Sequence, residues 1–478
     1  MKVTVMKGRK QKISLHQRPE AQNNRTASEN YATGQTFLWI TENNLTEHEH
    51  RKTNGLLEDI LSPSNLNAAY KRVKSNHGAA GVDKMEVESL KDYLVENKDV
   101  LIESILRGKY RPNPTRRVYI PKENGKQRQL GIPTVVDRVI QQGIAQKLSL
   151  IYEPLFSDHS YGFRPKRSAH QSLRKCQQYI TEGYIYAVDM DLERFFDTVH
   201  QSKLIEVLSR TIKDGRVISL IHKYLNAGVI EGGQLEESHE GVPQGGPLSP
   251  LLGNILLGEL DWELEKRGHK FVRYADDMVI LCRSRRSAER TMESITSFIE
   301  KKLFLKVNRD KTKVAYIRDI KFLGYSFYRY KGKCRLRVHS KSVEKMKARI
   351  RELTSRSNGW GNERRKKALS HYIKGWVQYF KLADMQKLLK ATDGWYRRRL
   401  RMVIWKQWKR IKTKVANLIK LDINRHKAYE WANTRKGYWH IANCFILSRT
   451  ITDERLCREL VMFSSYSIPQ GFINANIH

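Results

Sequence analysis

Apolar residues recur along this chain at two periods, and the switches between them divide it. Residues 1 to about 53 show neither: polar and rich in Asn, Thr, Lys and Arg, they read as a disordered or poorly packed arm. From there Leu57, Ile60 and Leu61 carry helical spacing, Ser62-Pro63-Ser64 interrupts it, Leu66 to Val73 resumes it, and Leu90 to Leu106 predicts a further helix. Arg117 to Lys122 alternates, turns at Glu123-Asn124-Gly125-Lys126 and returns as Gln127 to Ile132, the pattern of a β-hairpin. Val135 to Tyr152 is amphipathic helix. Tyr184 to Asp191 alternates like a strand, and a helix is expected from near His200. Leu251 to Leu264 predicts a helix, and Phe271 to Leu281 sets two β-rich runs about a polar centre. Ala288, Met292, Ile295, Ile299 and Leu303 mark another helix, while Lys306 to Tyr316 and Lys321 to Tyr328 read as strands. Beyond about residue 338 the pattern is helical, with one helix expected across 396–414.

At 478 residues the chain exceeds one core's usual size, so about two to four domains are expected. Its 88 Lys and Arg against 50 Asp and Glu give a net charge of +38. That excess implies a polyanion partner, with nucleic acid the default; a ribosome-like or membrane-surface protein fits the charge but not the acidic sites below. Cys176, Cys282, Cys334, Cys444 and Cys457 form no Cys-x-x-Cys pair, which argues for a reduced compartment and against a zinc finger or disulfide scaffold. No apolar run is long enough to span a membrane, so no membrane partner is expected. The basic start lacks the apolar core of a secretory signal; its first acid is Glu20, which also fits an organelle transit peptide.

Five places could carry chemistry. Asp276-Asp277 sits at the tip of the Phe271–Leu281 hairpin, where apolar arms would hold the acids at the edge of a core; adjacent acids also occur in plain turns. Crowded carboxylates raise one another's pKa unless a cation lies between them, and Mg²⁺ is the obvious candidate. Asp189 and Asp191 share one face of the preceding strand, aimed at a metal or simply structural. Gly241 to Pro250 is a Gly and Pro loop, a linker or a close approach to a ligand in which Gln244 offers both a donor and an acceptor. Basic residues Lys122, Lys126 and Arg128 on the earlier hairpin are either solvent-facing or phosphate clamps. Between Tyr396 and Lys414 stand nine Lys or Arg and no acid, with Trp405 and Trp408 among them; a solvated face is one reading, and a phosphate-backbone surface through Arg398, Arg401, Lys409 and Arg410 the favoured one. Asp191 with Asp276-Asp277 suggests a three-carboxylate site for two metal ions.

The motif series Arg128-Gln129-Leu130-Gly131-Ile132-Pro133, Tyr161-Gly162-Phe163-Arg164-Pro165, Asp191 to Asp197, Pro243-Gln244-Gly245-Gly246, Tyr274-Ala275-Asp276-Asp277, Asn308-Arg309-Asp310-Lys311-Thr312 and Phe322-Leu323-Gly324-Tyr325 resembles, in order, that of the reverse transcriptases encoded by group II introns. Gly375-Trp376, Arg398 to Arg401 and Trp405 to Lys409 resemble the maturase or thumb segment, and Arg435-Lys436-Gly437-Tyr438-Trp439 the DNA-binding tail of shorter bacterial members. The resemblance implies an α+β right-hand polymerase: an extension over 1–55, fingers and palm over 56–335, a helical thumb or maturase domain over 336–415 and a small basic C-terminal domain over 416–478. It implies two Mg²⁺ ions, with Mn²⁺ able to substitute, on Asp191, Asp276, Asp277 and the backbone of Leu192. Lys122 and Arg128 would meet the incoming triphosphate, Gln244 would lie beside the nucleotide, and Phe196 beneath its sugar. The implied partners are group II intron RNA, an RNA template with a DNA primer, target DNA and dNTPs; the oligomeric state stays open. The expected setting is the bacterial cytoplasm with the nucleoid, or an organelle, and the expected role RNA-templated DNA synthesis with splicing and retrohoming. Many relatives end in a Cys-rich endonuclease domain, and its cysteine pairs are not found here, so cutting of a second strand is not expected. A domesticated enzyme in a host or phage-defence role would share these residues. A non-catalytic RNA-binding splicing factor would not need intact acids.

Overall fold

A computed structural model describes residues 55–121, 125, 127–238 and 240–466. Lys122 and Lys126 lie outside the described residues, as does the expected N-terminal arm up to residue 54. Three helices lead in, α1 (Leu56–Leu61), α2 (Pro63–Ser75) and α3 (Leu90–Leu106), before the hairpin β1 (Thr115–Pro121) and β2 (Gln127–Ile132). Leu57, Ile60, Leu66 and Ala69 are buried at the expected helical spacing and pack on α4 (Val135–Tyr152). Thr134 caps α4 by accepting from the Asp137 N–H.

Then come α5 (Ala169–Thr181), β3 (Tyr186–Met190), α6 (Gln201–Thr211), α7 (Gly215–Leu225) and a short hairpin, β4 (Val229–Glu231) and β5 (Gln234–Glu236). That hairpin, whose three-residue strands are too short to show a period, extends the fingers sheet in the order β2-β1-β4-β5. Next follow α8 (Ser249–Lys266), β6 (Lys270–Tyr274), β7 (Asp277–Cys282), α9 (Arg285–Lys302), β8 (Lys313–Tyr316), β9 (Tyr325–Tyr330) and β10 (Lys333–Val338).

The palm sheet runs β6-β7-β3-β8, antiparallel throughout. The β6–β7 arms read as near-continuous apolar runs because both faces are covered. Met278 and Ile280 enter one core with α4, α8 and α9, and the alternate residues Val279 and Leu281 enter a second with α5 and the thumb. Lys306 to Tyr316 is not one strand: an isolated bridge at Val307 precedes β8, because the intervening segment wraps Asp191.

The thumb follows as α10 (Ser340–Leu353), α11 (Asn362–Tyr379), α12 (Gln386–Gln407) and α13 (Ile411–Lys420), then α14 (Arg425–Ala432), α15 (Tyr438–Ile441), α16 (Phe445–Thr450) and α17 (Asp453–Glu459). The single helix expected over 396–414 is two. Trp408 leaves the helical region at ψ 51° beside the buried Trp405, a break that no Gly or Pro announces. The boundary expected at 415/416 falls inside α13, and Trp431, Leu447, Leu456 and Phe463 share the thumb's core. Buried Asp393 of α12 accepts the N–H groups of Phe463 at 2.7 Å and Ser464 at 2.8 Å, closing the C-terminal segment over the thumb. The class is the expected α+β one. Among the described residues no helix is long and apolar enough to cross a membrane.

Candidate metal and nucleotide site

Tyr274 pairs with Asp277, leaving Ala275 and Asp276 as a two-residue turn. Ala275 has φ +58° and Asp276 is not left-handed, the pattern of a type II′ turn whose first position favours Gly. An L residue there stores roughly 1–3 kcal/mol, so its surroundings must hold it. They do so from two sides. Arg273 Nη1 donates to the Ala275 carbonyl and to Asn254 Oδ1, each at 2.9 Å, while its Nε and Nη2 donate to the Asp261 carboxylate at 2.8 and 2.5 Å. Arg273 and Asp261 are 1% and 0% exposed; burial pushes the Asp261 carboxyl up, and the guanidinium pulls it back. On the other side Asn254 Nδ2 donates to the Gly162 carbonyl at 2.8 Å, and a Cβ on Gly162 would lie 2.2 Å from Ala275 N. Sequence reasoning passed over Arg273, Asn254 and Asp261. The available signal was an Arg inside an apolar strand, and an Asp inside an apolar helix, each needing a partner.

Register brings the acids together. Met190 pairs with Met278, so one step on Asp191 stands beside Asp277. The Asn308–Thr312 segment clasps Asp191: Asn308 N–H donates to its carbonyl at 2.8 Å, its own N–H donates to Thr312 Oγ1 at 3.1 Å, and Lys311 Nζ donates to Oδ2 at 2.9 Å. At the Leu192–Val307 bridge the bonds use the Asp191 carbonyl and the Glu193 N–H, so the Leu192 carbonyl is not spent on the ladder. Asp189 lies opposite Lys313; burial pushes its carboxyl up to about 6, Lys313 opposing and Asp191 adding. Asp277 is likewise pushed up to about 6, first by loss of water, then by Asp276, Asp189 and Asp191, with Lys321 opposing. It nevertheless keeps an exposed edge, where solvent tempers these effects. The donors are hard oxygens, as Mg²⁺ requires, yet among the described residues no three His, Cys, Asp or Glu close into a metal-holding group. In this arrangement the Lys311 ammonium supplies the countercharge to Asp191.

The residues expected beside the nucleotide form a chain of hydrogen bonds from palm to fingers. Asp197 Oδ1 accepts from Gln244 Nε2 at 2.9 Å, which turns Gln244 Oε1 toward Arg128, whose Nε donates to it at 2.9 Å. The Gly131 N–H donates to the Gln244 carbonyl at 2.7 Å; a Cβ on Gly245 would lie 2.6 Å from the Gly131 carbonyl oxygen, so the loop glycine permits that approach. Phe196 is half-buried, 5.0 Å from the Phe195 ring, and its carbonyl accepts the Val242 N–H of the same loop. Phe195 is the buried partner in the core. Asp197 was not singled out from sequence. Lys122 lies outside the described residues.

The four basic residues chosen on the 396–414 stretch are not brought together. Arg401 is buried, donating to the Ile451 carbonyl at 2.9 Å and to Asp453 at 2.7 Å. Arg398 lies over the Trp439 ring at 3.9 Å and donates to the Trp439 carbonyl. Lys409 and Arg410 are exposed at the break between α12 and α13. Within that run Arg397 and Arg401 find their acid partner in Asp453 of the C-terminal segment, while Arg399 donates to Thr354 and to the Arg351 carbonyl of α10.

Residues 120–327 match the family described as reverse transcriptase (RNA-dependent DNA polymerase), and residues 343–421 match the group II intron maturase-specific domain. The chain is 34% identical to Protein YkfC of Escherichia coli over 319 residues, 58% of this chain and 84% of that protein. It is 31% identical to the group II intron-encoded protein LtrA of Lactococcus lactis over 359 residues, which spans 60% of this chain and 59% of LtrA.

Proposed function

Since the chain belongs to the reverse transcriptases with a maturase domain that group II introns encode, we propose that it copies RNA into DNA by two-metal nucleotidyl transfer and binds group II intron RNA to assist its splicing. The observation that supports the first half is the register that sets Asp191 beside Asp277, with Gln244 bonded to both Asp197 and Arg128. Asp191, Asp276 and the Leu192 carbonyl would hold the ions, with Asp277 in support. Two Mg²⁺ ions bound there supply the charge neutralisation that a primer 3′-hydroxyl and a leaving pyrophosphate require. Arg128, fixed by Gln244, presents its guanidinium to the triphosphate, with Lys122 as the expected second cation. Phe196 fills the space that a ribose 2′-hydroxyl would need, which favours dNTPs. Lys311, bonded to Asp191, would move aside as metal charge replaces its own.

The maturase half, α10 to α13, supplies the intron RNA surface, and retrohoming into target DNA would follow from both halves together. Oligo(dT)-primed copying of poly(rA) by the purified chain in Mg²⁺ tests the reading. Extension with dNTPs is expected. Protein that is folded and binds the template-primer yet extends nothing would leave an RNA-binding splicing factor.

A further inference from the structure

Arg273, Asp261 and Asn254 form a buried polar cluster beneath the Ala275–Asp276 turn. We propose that this cluster is a bracket that sets the Ala275–Asp276 peptide plane, and so aims the Asp276 carboxylate for metal binding. Arg273 and Asn254 are positioning residues in this scheme, which rests on the polymerase reading above.

A buried Arg–Asp pair gives up the hydration of both ions, and well-packed apolar side chains often stabilise a core as well or better. Stability alone is therefore a weak reason to keep it. What apolar residues cannot supply is a donor at a fixed point, and Arg273 Nη1 donates to the Ala275 carbonyl. That carbonyl belongs to the peptide whose N–H is that of Asp276, so fixing its direction fixes the plane from which the Asp276 side chain projects. The constraint is needed because Ala275 is left-handed: relaxation of its backbone would swing the same plane.

Asn254 completes the bracket. It accepts from Arg273 and donates to Gly162, whose missing side chain lets the loop press on Ala275 N. The turn is thus held at a carbonyl on one side and at an amide on the other. The loop that presses is itself rigid, since the buried Arg164 donates to the carbonyls of Ser157 and Ser160 and pairs with Glu153 at 2.8 Å. Backbone bonds from Tyr161 N–H to the Arg273 carbonyl, and from Arg273 N–H to the His159 carbonyl, seat it against β6. Asn254 and Asp261 both lie on α8, so this helix determines where Asp276 points.

Two variants test the bracket in the complete chain, Asn254→Ala, which leaves the ion pair intact, and Arg273→Lys. Binding of Mn²⁺ to the complex with an RNA template and a dideoxy-terminated DNA primer is followed by electron paramagnetic resonance, beside the Mg²⁺ dependence of primer extension, the KM for dNTP, RNA affinity and melting. Groups that orient metal ligands typically change affinity about tenfold or more, and a shift of that size is expected in both the Mn²⁺ and the Mg²⁺ curves, with kcat lowered. RNA affinity and the KM for dNTP should stay at the wild-type values. Folded variants with wild-type Mn²⁺ binding and a wild-type Mg²⁺ curve would overturn the proposal. So would loss of fold in both, which would make the cluster a folding element only; if Arg273→Lys alone fails to fold, Asn254→Ala decides. A wild-type chain that makes no DNA would sink the polymerase reading separately, while the Mn²⁺ measurement still judges the bracket.

Discussion

Gly162 has no room for a methyl group, because a Cβ there would press on the backbone of Ala275 rather than on a side chain that could swing away. Overpacking of this kind costs about 1–3 kcal/mol, and here the turn bearing Asp276 must absorb it. Gly162→Ala should therefore lower primer extension well beyond what its melting curve explains; wild-type turnover would show that the turn tolerates the shift. Phe196→Ala makes the complementary test on the sugar. Removing its half-buried ring should raise ribonucleotide incorporation while dNTP extension persists, measured by competing NTP with dNTP on one template. Unchanged discrimination would point to another ring, with Phe195 next to be tried. At this scale the carboxylates were legible because acids among apolar strands stand out. Asp197 and Lys311 were not, since their meaning lies in partners 47 and 120 residues away.

Periodicity was a good guide to elements whose packing is one-sided or complete. The α3 and α4 spans match their patterns, and the hairpin with acids at its tip is where two apolar β-rich runs about a polar centre placed it. It was a poor guide to charge on α12, where helical spacing cannot say whether an arginine meets water or a distant carbonyl. Two substitutions separate these cases. Arg401→Ala should destabilise the chain by about 2 kcal/mol, the scale of hydrogen bonds to a charged group, and lower its melting temperature with little change in salt dependence. Lys409→Ala, Arg410→Ala and Lys412→Ala together, all exposed, should leave melting unchanged. If they meet phosphates, they should flatten the log–log salt slope of RNA binding by roughly 0.7–0.9 per contact. An unaltered slope would make the break between α12 and α13 a solvated surface.

Across the whole molecule, the apolar cluster on one face of the palm sheet continues into the thumb and on to Phe463, so palm, thumb and C-terminal segment stabilise one another. The motif resemblance divided them into separate domains, but shared burial is a long-range property that short motifs do not carry. On the proposed reading the excess charge of +38 draws in RNA, while the carboxylates of Asp191, Asp276 and Asp277 would do the chemistry. Binding and synthesis should therefore come apart under the smallest change at those carboxylates. The direct measurement is single-turnover extension of a DNA primer on an RNA template by Asp276→Asn, with template-primer affinity determined on the same preparation. The metal-ligand role of Asp276 predicts that extension is abolished and affinity retained, and that Asp191→Asn behaves alike. DNA synthesis at an appreciable rate by the folded Asp276→Asn protein would contradict it.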